Sequence, residues 1–208
     1  MTFFKFTILA LPLLFFSCEK GAGTFVLKGE ITDLTFDQAH SEATVKLYKV
    51  PIGTQDLIPI DSTILSSDGN YQFSFLREQM EKYVLRVEKE GYFNIVEDVY
   101  MSSLTLENDN IRNYQTHAKS WIGIQIQNDN PESSDHFRFI KQDGLENCEE
   151  CCPNTEQNYF GHLDTTIYCI NNGNEVYSLL YWVIGTPNSD LVSVNTSPFD
   201  TSYVSISY

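Results

Sequence analysis

Apolar and polar side chains alternate one for one through much of this chain, and that period of two is the constraint any fold must satisfy. From Thr24 onward, Phe25, Leu27, Gly29 and Ile31 fall on one face. Val26, Lys28, Glu30 and Thr32 fall on the other. Val45 and Leu47 repeat the pattern against Lys46 and Tyr48, as do Tyr83, Leu85 and Val87 against Val84, Arg86 and Glu88. Beyond Cys18, no run of a dozen residues carries apolar spacing at i, i+3, i+4 and i+7. The best helical stretch, residues 76–82, is long enough for only a turn or two. Twelve tyrosines, fourteen phenylalanines and many Thr, Ser, Val and Ile favour strands. The expectation is an all-β protein.

Turn residues divide these strands at regular intervals. A loop carrying Pro51, Gly53 and Pro59 leads to a strand near residues 60–65. Ser67-Asp68-Gly69-Asn70 is a tight turn that delivers Tyr71, Phe73 and Phe75 to one face. Glu107-Asn108-Asp109-Asn110 is a polar break, and residues 114–119 lead directly into a second set of strands. Ile122, Ile124 and Ile126 share a face there, followed by the turn Asn128-Asp129-Asn130-Pro131 and a strand over 136–141. Residues 165–171, 175–184, 191–194 and 203–206 complete six or seven strands. The 175–184 run is apolar on both faces, which predicts a central strand buried twice. Regular turns predict a second sandwich of immunoglobulin-like or fibronectin-like type. The expected domains are therefore 24–117 and 118–208.

The N-terminus has a different grammar. Lys5 precedes an apolar run through Phe16, then the small residue Ser17 and Cys18. A short basic region, a hydrophobic core and a small-residue cleavage site make a secretory signal peptide, residues 1–17. Its core is about half the roughly 20 residues needed to span hydrocarbon. Phe15-Phe16-Ser17-Cys18 resembles a bacterial lipoprotein lipobox, relaxed at Phe15 in the manner of the Bacteroidetes group. The resemblance implies cleavage before Cys18, lipidation of that cysteine, and an outer-membrane protein whose partner is the bilayer, reached through the acyl chains. Residues 18–23 would be a flexible leash.

Charge narrows the partners. Of 13 basic and 28 acidic side chains, only Lys5 lies before Cys18, so the remainder holds 12 against 28, a net −16. Such a chain repels phosphate backbones and anionic lipid. Nucleic acid is excluded as a partner, and membrane contact falls to the lipid alone.

The first half resembles a known family. Lys28-Gly29-Glu30-Ile31-Thr32-Asp33 opens a strand, Ala43-Thr44-Val45-Lys46-Leu47-Tyr48 gives the next, Asp68-Gly69-Asn70-Tyr71-Gln72-Phe73 is the hairpin, and residues 83–92 close the set. Together they resemble the carboxypeptidase-regulatory-like, or transthyretin-like, seven-stranded β-sandwich. The resemblance covers about residues 24–117. It implies a spacer, stability or docking module, and the family carries no catalytic residues to transfer.

With Cys18 assigned to lipid, Cys148, Cys151, Cys152 and Cys169 remain, an even set in an exported chain, which predicts disulfides. Of three pairings, the one joining Cys151 to Cys152 ranks last on geometry. Both others tie the 147–153 loop to the strand of Cys169. The preferred expectation is Cys151–Cys169 with Cys148–Cys152. A zinc or hydrolytic site using Cys148–Cys169 and His162 is the alternative, and the absence of a second C-x-x-C weighs against it. His162-Leu163-Asp164 is a close His–carboxylate pair, and no nucleophile elbow accompanies it. His40, His117 and His136 read as surface or strand-edge residues. Asn128-Asp129-Asn130 and Glu107-Asn108-Asp109 lack calcium-loop spacing. Trp121 and exposed tyrosines could stack on sugars. No catalytic residue, metal or cofactor is expected. The leading expectation is a non-enzymatic, membrane-anchored accessory module for a glycan or envelope protein, with a pilus-like surface assembly as the alternative.

Overall fold

A computed structural model describes residues 23–208; the signal sequence, Cys18 and most of the leash lie outside the described residues. The chain from Thr24 to Thr116 forms one sandwich. Its strands are β1 (Thr24–Asp33), β2 (Gln38–Ala39), β3 (Thr44–Val50), β4 (Ile58–Ile64), β5 (Asn70–Leu76), β6 (Lys82–Glu88), β7 (Ile95–Tyr100), β8 (Asn110–Ile111) and β9 (Tyr114–Thr116). β1 lies in the middle of one sheet, antiparallel to β5 on one side and parallel to β8 and β9 on the other. The facing sheet has the order β4-β3-β6-β7.

The second sandwich follows with no linker. It contains β10 (Lys119–Gln127), β11 (His136–Asp143), β12 (Gln157–Phe160), β13 (Asp164–Asn172), β14 (Val176–Val183), β15 (Ser189–Asn195) and β16 (Thr201–Ser207). β10 is central in one sheet, antiparallel to β13 and parallel to β16. The other sheet runs β12-β11-β14-β15. With two-residue β2 set aside and β8 and β9 taken together, the strand order is that of the first sandwich: the first strand pairs with the fourth and, in parallel, with the last, opposite a four-stranded sheet. One plan is used twice.

The alternation read from the sequence decides each core. Phe25, Leu27 and Ile31 of β1 meet Val45, Leu47, Tyr71, Phe73, Leu85 and Val87, all at most 3% exposed. Ile122, Ile124 and Ile126 do the same in the second sandwich, against Phe137, Phe139, Tyr177 and Leu179. Each buried Ile, Leu or Phe contributes about 1.5–3 kcal/mol of transfer free energy.

Three local expectations are corrected. Residues 76–82 form no helical turn: Leu76 ends β5, 77–81 are irregular and Lys82 opens β6. β14 is central, between β11 and β15, but its apolar residues are deeply buried only on the Tyr177, Leu179, Tyr181 and Val183 face; on the other face Ser178 is the one buried residue. On its other face Leu180 remains 38% exposed and Trp182 is half-buried beneath the Arg138 guanidinium, 4.9 Å from the ring. Each sheet of a sandwich has one inner face, and this is the outer one. His40 is not a surface residue; it is 1% exposed.

Candidate functional site at the junction of the sandwiches

The turn after β6 and the loop between β15 and β16 meet where the two sandwiches join. Tyr92 forms an antiparallel bridge with Ala118, and the Lys119 amide donates to the Gly91 carbonyl at 2.7 Å. Gly91 has φ of +79°, and a Cβ there would stand 2.7 Å from Phe199. Phe199 itself holds φ of +65°, a costly conformation for an aromatic residue. Its amide donates to the Lys119 carbonyl at 2.7 Å, and its ring stacks on Phe36 at 6.0 Å and meets Tyr92 edge-on at 5.3 Å. A residue from the end of the chain is thus wedged between two from the first sandwich.

Polar groups complete the joint. Asp33, 1% exposed, accepts from the Tyr92 hydroxyl at 2.8 Å and from the Thr35 and Phe36 amides. Thr35 accepts at Oγ1 from the Ala118 amide and at its carbonyl from Asn174 Nδ2, so one residue bonds both ends of the second sandwich's base. Burial, with the Asp33 bond second, pushes the Tyr92 phenol well above its ordinary pKa. The His40 ring packs edge-on against Tyr92 at 4.4 Å, with Nδ1 buried and unpartnered. Burial first and Lys89 second lower its pKa, against an opposing pull from Asp33. Beside this network lies a cleft of about 620 Å³ edged by Glu42, Glu88, Glu90, Lys89 and Lys119. A larger cleft of about 680 Å³ sits along the first sandwich between Glu30, Asn94, Glu97 and Tyr114.

All four cysteines of the second sandwich are paired, as Cys148–Cys151 and Cys152–Cys169. The preferred expectation of Cys151–Cys169 is therefore corrected, and the loop chain shows why. The Cys151 amide donates to the Cys148 carbonyl, a turn that brings those two together. The Ile170 amide donates to Glu150 O, laying the loop along the free edge of β13. Cys152 is then the one that enters the core, 8% exposed, beside Cys169 at 1%. Lys141, itself 6% exposed, fixes the loop by donating from Nζ to Leu145 O at 2.6 Å and Cys152 O at 2.8 Å. Burial lowers its pKa.

The remaining sequence candidates do not converge. His162 and Asp164 are exposed on either side of buried Leu163, and the paired thiols leave no thiolate beside them. Among the described residues, no group of three or more His, Cys, Asp and Glu is placed to hold a metal ion. Asn128 bonds Asp135 and caps its own turn, while Asp109 pairs with Lys28 at 2.6 Å. Trp121 is half-buried on the outer face of β10, and contact with the Tyr168 hydroxyl raises the pKa of Tyr203 on the same face. Sequence reasoning placed Asp33 in the first strand without giving it a role at the junction, and missed Phe36 and Phe199. Only Pro198 before Phe199 marks that loop, and nothing local marks its partners.

No known family profile matches the chain, and no curated protein sequence matches it. Among solved structures, the minor pilin of Streptococcus agalactiae is 10% identical, with 88% of this chain and 94% of that one covered at a TM-score of 0.33. The shaft pilin of Lactobacillus rhamnosus GG is 6% identical, with 89% and 97% covered at 0.33. The 3-chlorocatechol 1,2-dioxygenase of Rhodococcus opacus 1CP is 9% identical, with 46% and 60% covered at 0.32. The chain spans 60% or less of the dioxygenases it resembles. These likenesses carry no activity or partner to this chain. By its own strands, the chain is an all-β protein of two tandem sandwiches.

Proposed function

We propose that the chain is a structural accessory component of the cell envelope, a lipid-anchored pair of sandwiches docked end to end as one rigid arm. The junction carries this reading: main-chain bonds, a buried Asp33–Tyr92 pair and the Phe199 wedge replace a linker. Tandem domains move by default unless their interface is firm. The sequence supplies the rest: the lipobox resemblance makes Cys18 the anchor of an outer-membrane lipoprotein of Bacteroidetes type, and residues 18–23 its leash. The first sandwich is read as a carboxypeptidase-regulatory-like module, a spacer and docking unit without catalytic residues.

A second reading, subunit of a pilus-like surface assembly, is favoured by the free edge of β13. Among the described residues that strand pairs only with β10, and the Glu150 bond to Ile170 covers one end of its other edge. By alternation, the amides of Thr166 and Tyr168 also point away from β10. An extended partner strand could add there.

Membrane fractionation tests the anchor, with the wild type expected in the membrane pellet and Cys18→Ala in the soluble fraction. Small-angle scattering tests the arm, with Phe199→Ala expected to broaden the distance distribution. An unchanged distribution contradicts the rigid-arm reading. Thr166→Pro tests the assembly reading, since it blocks strand addition without removing a bond to β10.

A further inference from the structure

The outer face of the β13-β10-β16 sheet bears three residues in register: Tyr168 on β13, Gly123 on β10 and Tyr203 on β16. The tyrosines are 62% and 50% exposed. Gly123 has no room for a side chain. A Cβ there would meet Cε1 and Cδ1 of Tyr203 at 2.5 and 2.6 Å and Cε1 of Tyr168 at 3.5 Å. Tyr203 thus lies down over the glycine instead of standing off the sheet, and Tyr168 reaches in from the other side. Glycine inside a central strand weakens it, and such glycines mark places where another group approaches closely.

The next row along the sheet is Thr166, Gln125 and Ser205, all exposed. Ser205 Oγ donates to Gln125 Oε1 at 2.7 Å, which leaves the Gln125 amide nitrogen as a donor. Neither row carries a charged side chain, on a protein of net charge −15. The rows cross three strands, two strand spacings or about 9.6 Å.

We propose that the Tyr168–Gly123–Tyr203 row is a binding platform for a neutral polysaccharide. The apolar faces of sugar rings fit exposed aromatic faces, and their hydroxyls fit the amide and hydroxyl groups of the adjoining row. Two adjoining rows across three strands suit an extended chain over a compact small molecule. The protein's net negative charge disfavours acidic polysaccharides and nucleic acid by repulsion. The platform stands on the outer face, away from the junction, so it does not rest on the rigid-arm reading.

Affinity electrophoresis of the mature protein in neutral detergent tests it, using native gels that contain hydroxyethylcellulose, xylan or galactomannan, with polygalacturonate as the charged comparison. Expected is retardation by at least one neutral polymer, weakened about tenfold or more by Tyr203→Ala and several-fold by Gln125→Ala. Gln125 is exposed, so its variant keeps the test intact even if Tyr203→Ala lowers the melting temperature. No retardation by any neutral polymer overturns the proposal, as does retardation that both variants retain or that polygalacturonate matches. Self-association lost in the variants, with no effect of polysaccharide, overturns it in favour of a second copy as the occupant.

Discussion

The Tyr92 hydroxyl donates to the Asp33 carboxylate at 2.8 Å across 59 residues of sequence, and both side chains are buried. A hydrogen bond to a buried charged group contributes about 1.5–3 kcal/mol. Tyr92→Phe keeps the ring that contacts Phe199 and removes only that bond. The expected loss is about 2 kcal/mol, read as a fall of roughly 4–8 °C in melting temperature for a chain of this size. Thermal unfolding followed by circular dichroism checks it.

His40 gives the joint a pH dependence of known sign. Its folded pKa lies below the ordinary 6.5 because burial and Lys89 disfavour the charged ring, with Asp33 opposing and Tyr92 packed against it. The unfolded chain therefore binds more protons between the two values, and stability rises with pH across that window. Below the lowered value the penalty is complete. Melting temperatures of wild type and His40→Gln should diverge less at about pH 5 than at about pH 8, because only the wild type carries the penalty in acid. Parallel curves over that range would refute the assignment.

Much of this fold was legible because strand period and turn chemistry are local. Phe25, Leu27 and Ile31 alternate, Asp68-Gly69 turns, and both signals lie within ten residues of what they determine. β7 and β12 were not legible: Ile95–Tyr100 carries Glu97 and Asp98 side by side and lies at a sheet edge, where alternation fades. The shared strand order of the two sandwiches depends on which strands pair, and pairing is not written in any one strand. The junction was least legible of all. His40, Tyr92 and Phe199 are each unremarkable in their own segments and meet only once both sandwiches have formed. The disulfide partners turned on which cysteine the loop aims inward, which Lys141 and Glu150 decide.

The two disulfides should differ in worth. Cys152–Cys169 closes a separation of 17 residues and Cys148–Cys151 one of 3. The chain-entropy relation gives roughly 3 against roughly 2 kcal/mol. Cys152→Ser also opens the core, whereas Cys151→Ser alters a loop. Non-reducing peptide mapping should recover both bridges, and Cys152→Ser should lower the melting temperature more than Cys151→Ser.

Lys141 holds two carbonyls of the cysteine loop from beneath. Lys141→Met keeps the buried stem and leaves both acceptors without their donor, at a cost of about 1–3 kcal/mol. The wild-type folded pKa is lowered, so the buried charge costs least at high pH, and wild-type stability should gain on raising pH toward 10.5 while the variant's does not through this group. Faster reduction of Cys152–Cys169 by a soluble thiol in Lys141→Met would show that the loop has loosened.

Backbone ¹⁵N relaxation of the mature protein tests the central claim, that the Tyr92, Asp33 and Phe199 joint makes one body of two sandwiches. The joint predicts a single anisotropic rotational diffusion tensor that fits amides of both β1–β9 and β10–β16. It also predicts that Phe199→Ala splits this into two shorter correlation times. Two independent tensors in the wild type would contradict it.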